Sequence, residues 1–84
     1  MPYSSETLTT AYKDVTGSFA GTFNVTPTAE CQLFLWKTGM DVPTAEQGSP
    51  IPGGETNVVA LTSGDKLYAR TVTGTAILRM NGGD

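Results

Sequence analysis

The side chains of this chain that could do chemistry are few, and there is no histidine among them. Serine and threonine hydroxyls need a nearby base to become nucleophiles, and Ser63 with Lys66 is the one pair whose spacing suggests such an arrangement. The sequence around this pair is typical of a turn, where a serine usually bonds to the backbone and a lysine is solvated. A Ser–Lys enzyme is therefore a weak hypothesis.

Paired carboxylates are the other route to acid–base chemistry. Glu46 with Glu55, or Asp41 with Asp65, could face each other, but nothing in their spacing requires it. A chain of 84 residues is also too small to build a substrate cleft alone. The two Gly-Gly pairs lack the lysine and the strand–helix context of a phosphate loop. We therefore expect no enzyme, no catalytic residue and no bound cofactor.

Cysteine usage limits how so small a domain can be stabilised. Cys31 is the only cysteine, so an internal disulfide is impossible, and without histidine a zinc site is not expected. A chain of this length buries roughly 60–65% of the surface that it exposes when unfolded. Small domains usually compensate with disulfides, metals or self-association. By elimination we expect a homo-oligomer.

The charge pattern argues against two classes of partner. The chain carries five Lys and Arg against eight Asp and Glu, a net charge of −3, and only 15% of its residues are charged. The basic residues are scattered, whereas nucleic-acid binding needs them clustered. No apolar run approaches the ~20 residues that span a bilayer, and the N-terminus lacks the features of a signal peptide. We expect a protein made in the cytoplasm that binds neither nucleic acid nor membrane.

The composition predicts an all-β fold. Threonine, valine and aromatic residues favour strands, and Gly, Pro, Asn and Asp clusters interrupt the chain at short intervals. We expect one domain over residues 1–84, with six to eight short strands in an antiparallel sandwich, jelly roll or small barrel. The predicted strands cover residues 7–15, 18–25, 31–37, 57–61, 66–72 and 75–80, with 40–42 or 49–51 as short edge pairs.

The 31–37 strand differs from the others because both of its faces are apolar. Cys31, Leu33 and Leu35 share one face, and Phe34 and Trp36 share the other. Such a strand is buried on both sides or has one side at a subunit interface. Phe34 and Trp36 pack either against another chain or under a local loop. Stacking of Trp36 on a sugar is a minority alternative.

The most regular segment is SGDKLYARTVTGTAILRM, residues 63–80. Two alternating strands with Thr73-Gly74 between them predict a hairpin, because glycine supplies the positive φ that a tight turn needs. Its alternation places four apolar side chains in the core, and leaves Tyr68, Arg70 and Arg79 for the surface or a neighbouring chain. The four core side chains are Leu67, Ala69, Leu78 and Met80.

The stretch 38–55 is rich in proline and glycine and predicts a loop. A loop this long in a compact domain is usually functional or laid against a partner. A surface loop ordered only by its prolines is an equally good interpretation.

The C-terminal half resembles a known group of proteins. Gly53-Gly54-Glu55 is followed by V-V-A-L-T-S-G-D-K-L-Y-A-R over residues 58–70 and by T-G-T-A-I-L-R over residues 73–79. This order of apolar strand, S-G-D/T-x-L-Y-A, S/T-G-T-A turn and closing strand is similar to that of small tailed-bacteriophage virion proteins, over about residues 51–80. The resemblance implies a capsid decoration (cement) protein, or another small β component of the head or tail. It brings no catalytic residue.

The resemblance also implies partners and the residues that contact them. Such proteins are usually symmetric oligomers on the virion surface, with trimers favoured, and they contact the major capsid protein or another virion protein. We expect the oligomer to form around the 31–37 strand, and the capsid to be contacted by an extended N-terminal arm (1–10) or by the 38–55 loop. A receptor- or glycan-binding module of a head or tail fibre is the alternative. The candidate interface residues are Phe34, Trp36, Tyr68, Arg70, Tyr3 and Ile51.

Overall fold

The computed structural model describes residues 3–17, 19, 21–44 and 47–82. These residues form eight β-strands and no helix. Accordingly, this part of the chain contains no helix long and apolar enough to cross a membrane. The strands are β1 (Tyr3–Leu8), β2 (Lys13–Asp14), β3 (Gly21–Pro27), β4 (Cys31–Trp36), β5 (Ser49–Ile51), β6 (Asn57–Leu61), β7 (Lys66–Thr71) and β8 (Ala76–Gly82).

The strands form two antiparallel four-stranded sheets. Sheet A has the order β1-β8-β3-β6, and sheet B has the order β2-β7-β4-β5. The first four strands pair with the last four in reverse order: β1 with β8, β2 with β7, β3 with β6 and β4 with β5. This is one long hairpin rolled around a core, the jelly-roll topology. The expected all-β fold is confirmed, and among the three architectures the chain forms a jelly-roll sandwich.

The core lies between the two sheets, and the pleat of each strand explains which side chains enter it. In β8 the side chains of Ala76, Leu78 and Met80 are buried while Ile77 and Arg79 face outward, as the alternation predicts. Leu67 and Ala69 of β7 are buried from the opposite sheet. The remaining core side chains are Leu8, Val15, Phe19, Phe23, Val25, Cys31, Ile51 and Leu61.

The predicted hairpin over residues 66–80 is wrong, although its core residues are right. β7 pairs with β2 and β4, whereas β8 pairs with β1 and β3, so Thr73-Gly74 lies in a crossover between the sheets. Gly74 does have a positive φ, of 62°. The error has a physical cause: side-chain alternation is the same for two strands beside each other and for two strands that face each other across a core.

The N-terminal strand also differs from the prediction. The expected strand over 7–15 is divided, because β1 ends at Leu8 and β2 contains only Lys13 and Asp14. The residues between them cross from sheet A to sheet B, where the amide of Thr71 donates to the carbonyl of Thr9 at 2.9 Å. Residues 3–8 of the predicted arm lie along β8 as an edge strand.

Two further strand assignments differ from the prediction. The strand predicted over 18–25 begins at Gly21 and continues to Pro27, while Ser18 and Ala20 lie outside the described residues. Residues 49–51 pair with β4 at the edge of sheet B, but residues 40–42 form no strand. Pro50 is tolerated in β5 because an edge strand needs no ladder bond on its outer side.

Candidate functional site

The structure presents two surfaces that could meet a partner. The first, the aromatic face, is the outer side of sheet B. The second, the open edge, consists of β6 and the groove between it and β4. The aromatic face contains Tyr12, Gln32, Phe34, Trp36, Lys66, Tyr68 and Arg70.

The aromatic face is organised by the register of β4 against β7. Phe34 lies opposite Tyr68, and Gln32 lies opposite Arg70. The Arg70 guanidinium donates to Gln32 Oε1 at 2.7 Å and to the carbonyl of Thr10 at 2.7 Å. It also lies 6.0 Å from the ring centre of Tyr12, a cation–π contact. The polar tip of Arg70 is thus held by the protein itself.

The loop after β4 folds back on the aromatic face. The indole N–H of Trp36 donates to the carbonyl of Met40 at 2.9 Å, and the hydroxyl of Tyr12 donates to the carbonyl of Gln47. Burial raises the pKa of Tyr12 above its ordinary value, which the charge of Arg70 partly opposes. The loop therefore covers part of Phe34 and Trp36, both of which are half-buried in a single chain.

Between the loop and the sheet lies a cavity of about 480 Å³. Phe34 forms part of its floor, and Met40, Asp41, Val42 and Thr44 line its side. The lining combines an aromatic ring with a carboxylate and a hydroxyl, which is the mixture found in small polar binding pockets. The aromatic face could hold a small polar ligand there.

The side chains considered for catalysis have other neighbours. Lys66 Nζ lies 5.1 Å from the ring centre of Trp36, and Ser63 is exposed in the turn before β7. Asp65 accepts hydrogen bonds from Lys37 Nζ at 2.9 Å and from the amide and hydroxyl of Thr62. These bonds, the one from Lys37 above all, lower the pKa of Asp65 to about 2, so at neutral pH this carboxylate is an acceptor only.

The described part of the chain brings no two of the other carboxylates considered for catalysis together. Asp41 and Glu55 are exposed, and Glu46 lies outside the described residues. Among the residues that are described, no three His, Cys, Asp or Glu side chains lie close enough to hold a metal ion. The thiol of Cys31 is buried, and burial raises its pKa.

The open edge is the second surface. β6 pairs with β3 on one side, and no described strand pairs with its other side. β7 pairs with β4 along its whole length on one side, whereas on the other side β5 covers only Cys31–Leu33. On that side the last part of β4 has no strand beside it in the described chain. Between β4 and β6 the two sheets are separated by an apolar groove of about 230 Å³. Leu33, Leu35, Val59 and Leu67 line it, with Ser49, Val58 and Ala60 at its rim.

Exposure distinguishes this edge from an ordinary surface. Val58 is 68% exposed and Leu35 is 40% exposed, although Leu35 belongs to the inward face of β4. Leu33 and Val59 pack against the core and are only partly buried. The groove therefore exposes to solvent apolar side chains that a longer β5 would have covered.

The opposite edge of the sandwich is closed. Glu6 of β1 forms a salt bridge with Lys13 of β2, with Oε1 and Nζ 2.9 Å apart, and this pair links sheet A to sheet B. The hydrogen bond from Lys13 is the main cause of the lowered pKa of Glu6. The residues between β1 and β2 close the same side. The apolar groove lies on the other long side of the sandwich, at β5 and β6.

The six candidate interface residues predicted from the sequence do not form one site. Phe34, Trp36, Tyr68 and Arg70 share the aromatic face. Tyr3 is 67% exposed on β1, at the far edge of sheet A, and Ile51 packs in the core at 7% exposure.

Sequence reasoning missed the open edge. Its signal was present: the outward positions of β6, Val58 and Ala60, are apolar in a strand that has no charged residue. An outward apolar residue usually means only that one face is partly covered, so the signal was weak by itself.

Comparison of this chain with protein-family models, with curated proteins and with solved structures finds no match. The resemblance of residues 51–80 to phage virion proteins therefore stays a prediction from the sequence motifs.

Proposed function

We propose that this chain is a structural virion protein, a capsid decoration (cement) protein that binds the outer shell as a symmetric homo-oligomer. The observation that carries the proposal is the open edge. Small monomers rarely leave apolar side chains and an uncovered strand edge side by side, and where they do, the surface usually serves an interaction. Exposed strand edges are also a common means of joining one protein to another.

The contacts of the charged side chains support a binding role. Among the described residues the salt bridges are Glu6–Lys13 and Lys37–Asp65, and each of them ties one part of the chain to another. A protein whose ionic groups hold its own fold together, and whose apolar groups remain open, is suited to bind by surface burial.

The fold is compatible with this role by analogy. Jelly rolls occur in viral capsid proteins and in lectins, and a fold alone does not assign a function. The segment that resembles phage virion proteins corresponds here to β5 through β8, which includes β6 of the open edge.

In this proposal the two surfaces have different partners. Residues 37–44, 47 and 48 of the loop after β4, with the aromatic face beneath them, contact the major capsid protein or another virion protein. The open edge, to which β4 contributes Leu35, contacts other copies of the chain. The resemblance favours three copies in the oligomer, whereas a pair of strand edges by itself joins two.

The proposal is tested with empty heads of the virus that carries the gene. We expect the purified protein to sediment with the heads at a saturable ratio and to raise the temperature at which they break open. Substitution of Val42, 62% exposed in the loop, by lysine should weaken binding to the heads. Absence of the protein from purified particles, together with absence of binding to empty heads, would overturn the proposal.

The second candidate is a glycan-binding module, favoured by the cavity of about 480 Å³ beside Phe34 and Asp41. Binding to a glycan array that is lost in Asp41→Asn, without sedimentation on heads, would favour this function. Against it, Lys66 Nζ lies over the ring of Trp36 at 5.1 Å, so a ring face on which a sugar would stack is occupied.

A further inference from the structure

We propose that β6 of one chain pairs with β6 of a second copy, antiparallel and around a two-fold axis at Val59. The pairing would join two copies of sheet A into one continuous eight-stranded sheet. This inference stands on the geometry of the open edge, and it does not require that the chain belong to a virion.

The first argument is a comparison of the four edge strands. β1 carries an inward-pointing charge, Glu6; β2 has only two residues, both charged; and β5 has three residues with Pro50 in the middle. Inward charges, short length and proline are the usual means by which edge strands avoid pairing with another chain. β6 has five residues, Asn57–Leu61, and none of these features. Of the four edge strands, β6 is therefore the one that can pair with another chain.

The second argument is that β6 is complementary to itself. In an antiparallel register centred on Val59, all five residues find a partner: Val59 lies opposite Val59, Val58 opposite Ala60, and Asn57 opposite Leu61 of the other copy. Residues directly opposite each other point to the same side of a sheet. Val58 and Ala60 would then cover each other on the outer side, where both are exposed in the single chain.

The third argument is charge. Each chain carries a net charge of −3, so two copies repel unless they meet where charge is lacking. β6 has no charged residue, and the lining of the groove has none. A partner recognised through charge would need charged groups on this edge. A second copy of the same neutral edge needs none.

The size of the edge sets the strength of the contact. The shortest dimension of the sandwich is 16 Å and the next is 29 Å, so one side of it presents roughly 460 Å², or about 900 Å² for two copies. Stable interfaces generally exceed about 1,000 Å² in total. We therefore expect a weak dimer that forms as the protein concentration rises.

The first test measures mass against concentration by light scattering or sedimentation. The wild-type chain should move from 8.8 kDa towards twice that mass as concentration rises. Val58→Lys should require about tenfold more protein for the same shift, because each dimer loses two cross-strand apolar pairs. Val42→Lys is the matched control, since Val42 is 62% exposed where Val58 is 68% exposed. It should behave as the wild type.

Three results of this test would overturn the inference. They are a wild-type chain that stays at 8.8 kDa up to millimolar concentration, a mass of three chains, and a loss of association in Val42→Lys but not in Val58→Lys. Circular dichroism of both variants verifies that each has the β-sheet content of the wild type.

The second test determines the register of the β6 pair by disulfide cross-linking of cysteine variants. Val59→Cys should form a disulfide with its own copy on mild oxidation, because two residues directly opposite on antiparallel strands are within disulfide reach. Val58→Cys should not bond to itself, and it should bond to Ala60→Cys when the two variants are mixed. Cys31 is fully buried and so should not take part. Self-linkage of Val58→Cys without linkage of Val59→Cys would contradict the register.

The two proposals fail separately. A chain that stays monomeric but sediments with heads overturns the β6 pair and the homo-oligomer, and leaves the binding to heads. A chain that dimerises through Val59 but ignores heads supports the pair and overturns that role.

Discussion

Replacement of Leu78 by alanine should be among the most destabilising single substitutions in this chain. Leu78 lies in β8, between β1 and β3, and its side chain is fully buried. Its neighbour Ile77 is 39% exposed on the outer side of the same strand. The two residues differ little in size, so Leu78→Ala and Ile77→Ala form a matched pair that separates burial from composition.

The expected loss follows from the packing. Removal of a buried leucine side chain beyond Cβ costs about 2–5 kcal/mol in unfolding free energy, because the transfer free energy is lost and a cavity remains. A domain of this size is stable by roughly 4–12 kcal/mol in all. We expect a loss of about 3 kcal/mol for Leu78→Ala, or a fall of roughly 12–24 °C in Tm. For Ile77→Ala we expect a loss below about 1 kcal/mol.

Urea unfolding followed by Trp36 fluorescence is the assay. The indole of Trp36 has Met40 as its hydrogen-bond acceptor and Lys66 over its ring, and both contacts are lost on unfolding. All three proteins are compared at one low concentration, because self-association adds stability that depends on concentration. The slope of free energy against urea should be unchanged if only the folded state is affected.

An equal loss for the two variants, or a larger loss for Ile77→Ala, would refute the assignment of the buried face of β8. Since a one-residue slip in register exchanges the two faces of a strand, the second result would mean that β8 is displaced against β1 and β3.

Three further expectations concern single contacts. The pKa of Asp65 falls from 3.8 to about 2, chiefly through Lys37, so its contribution to stability is complete above pH 3.8 and is lost as the pH falls towards 2. Asp65→Asn should therefore lower the urea midpoint at pH 7, with a shallower further decline between pH 4 and 2 than in the wild type; an equal decline would refute this. Gly53→Ala would place Cβ 2.7 Å from the Cα of Ala29, and should cost about 1–3 kcal/mol in urea unfolding; an unchanged midpoint would show that the two loops separate freely. Cys31 should react with a thiol reagent roughly a hundredfold or more slowly in the native protein than in urea, because its thiol is buried and its pKa is raised; rapid native labelling would mean that the end of β4 opens.

Much of the fold could be predicted from local patterns. The bounds of β6 agree with the prediction, the 31–37 strand is one residue shorter, and the buried face of β8 is the predicted one. Period-two alternation and turn residues are properties of neighbouring positions along the chain, so a single sequence carries them.

The partners of those strands could not be predicted in the same way. The turn at Thr73-Gly74 has the composition of a hairpin, yet it leads from sheet B to sheet A. Pairing depends on which distant strands complete each sheet, and those contacts are set by packing over the whole core. Ile51 illustrates the same limit. It falls within a proline-rich stretch, but its pairing with Cys31 carries it into the core.

The candidate sites, like the fold, could be predicted from the sequence only in part. The sequence alone determined that the chain is charge-poor, has too few cysteines for an internal disulfide, and places apolar side chains on both faces of β4. The proposal of a protein that binds other proteins begins from these features. Only the tertiary structure decided where. β5 stops after three residues and covers Leu33 but not Leu35, while β6 ends sheet A without charge or proline. An open edge is produced by where strands end relative to one another in space, and a linear pattern carries no measure of that.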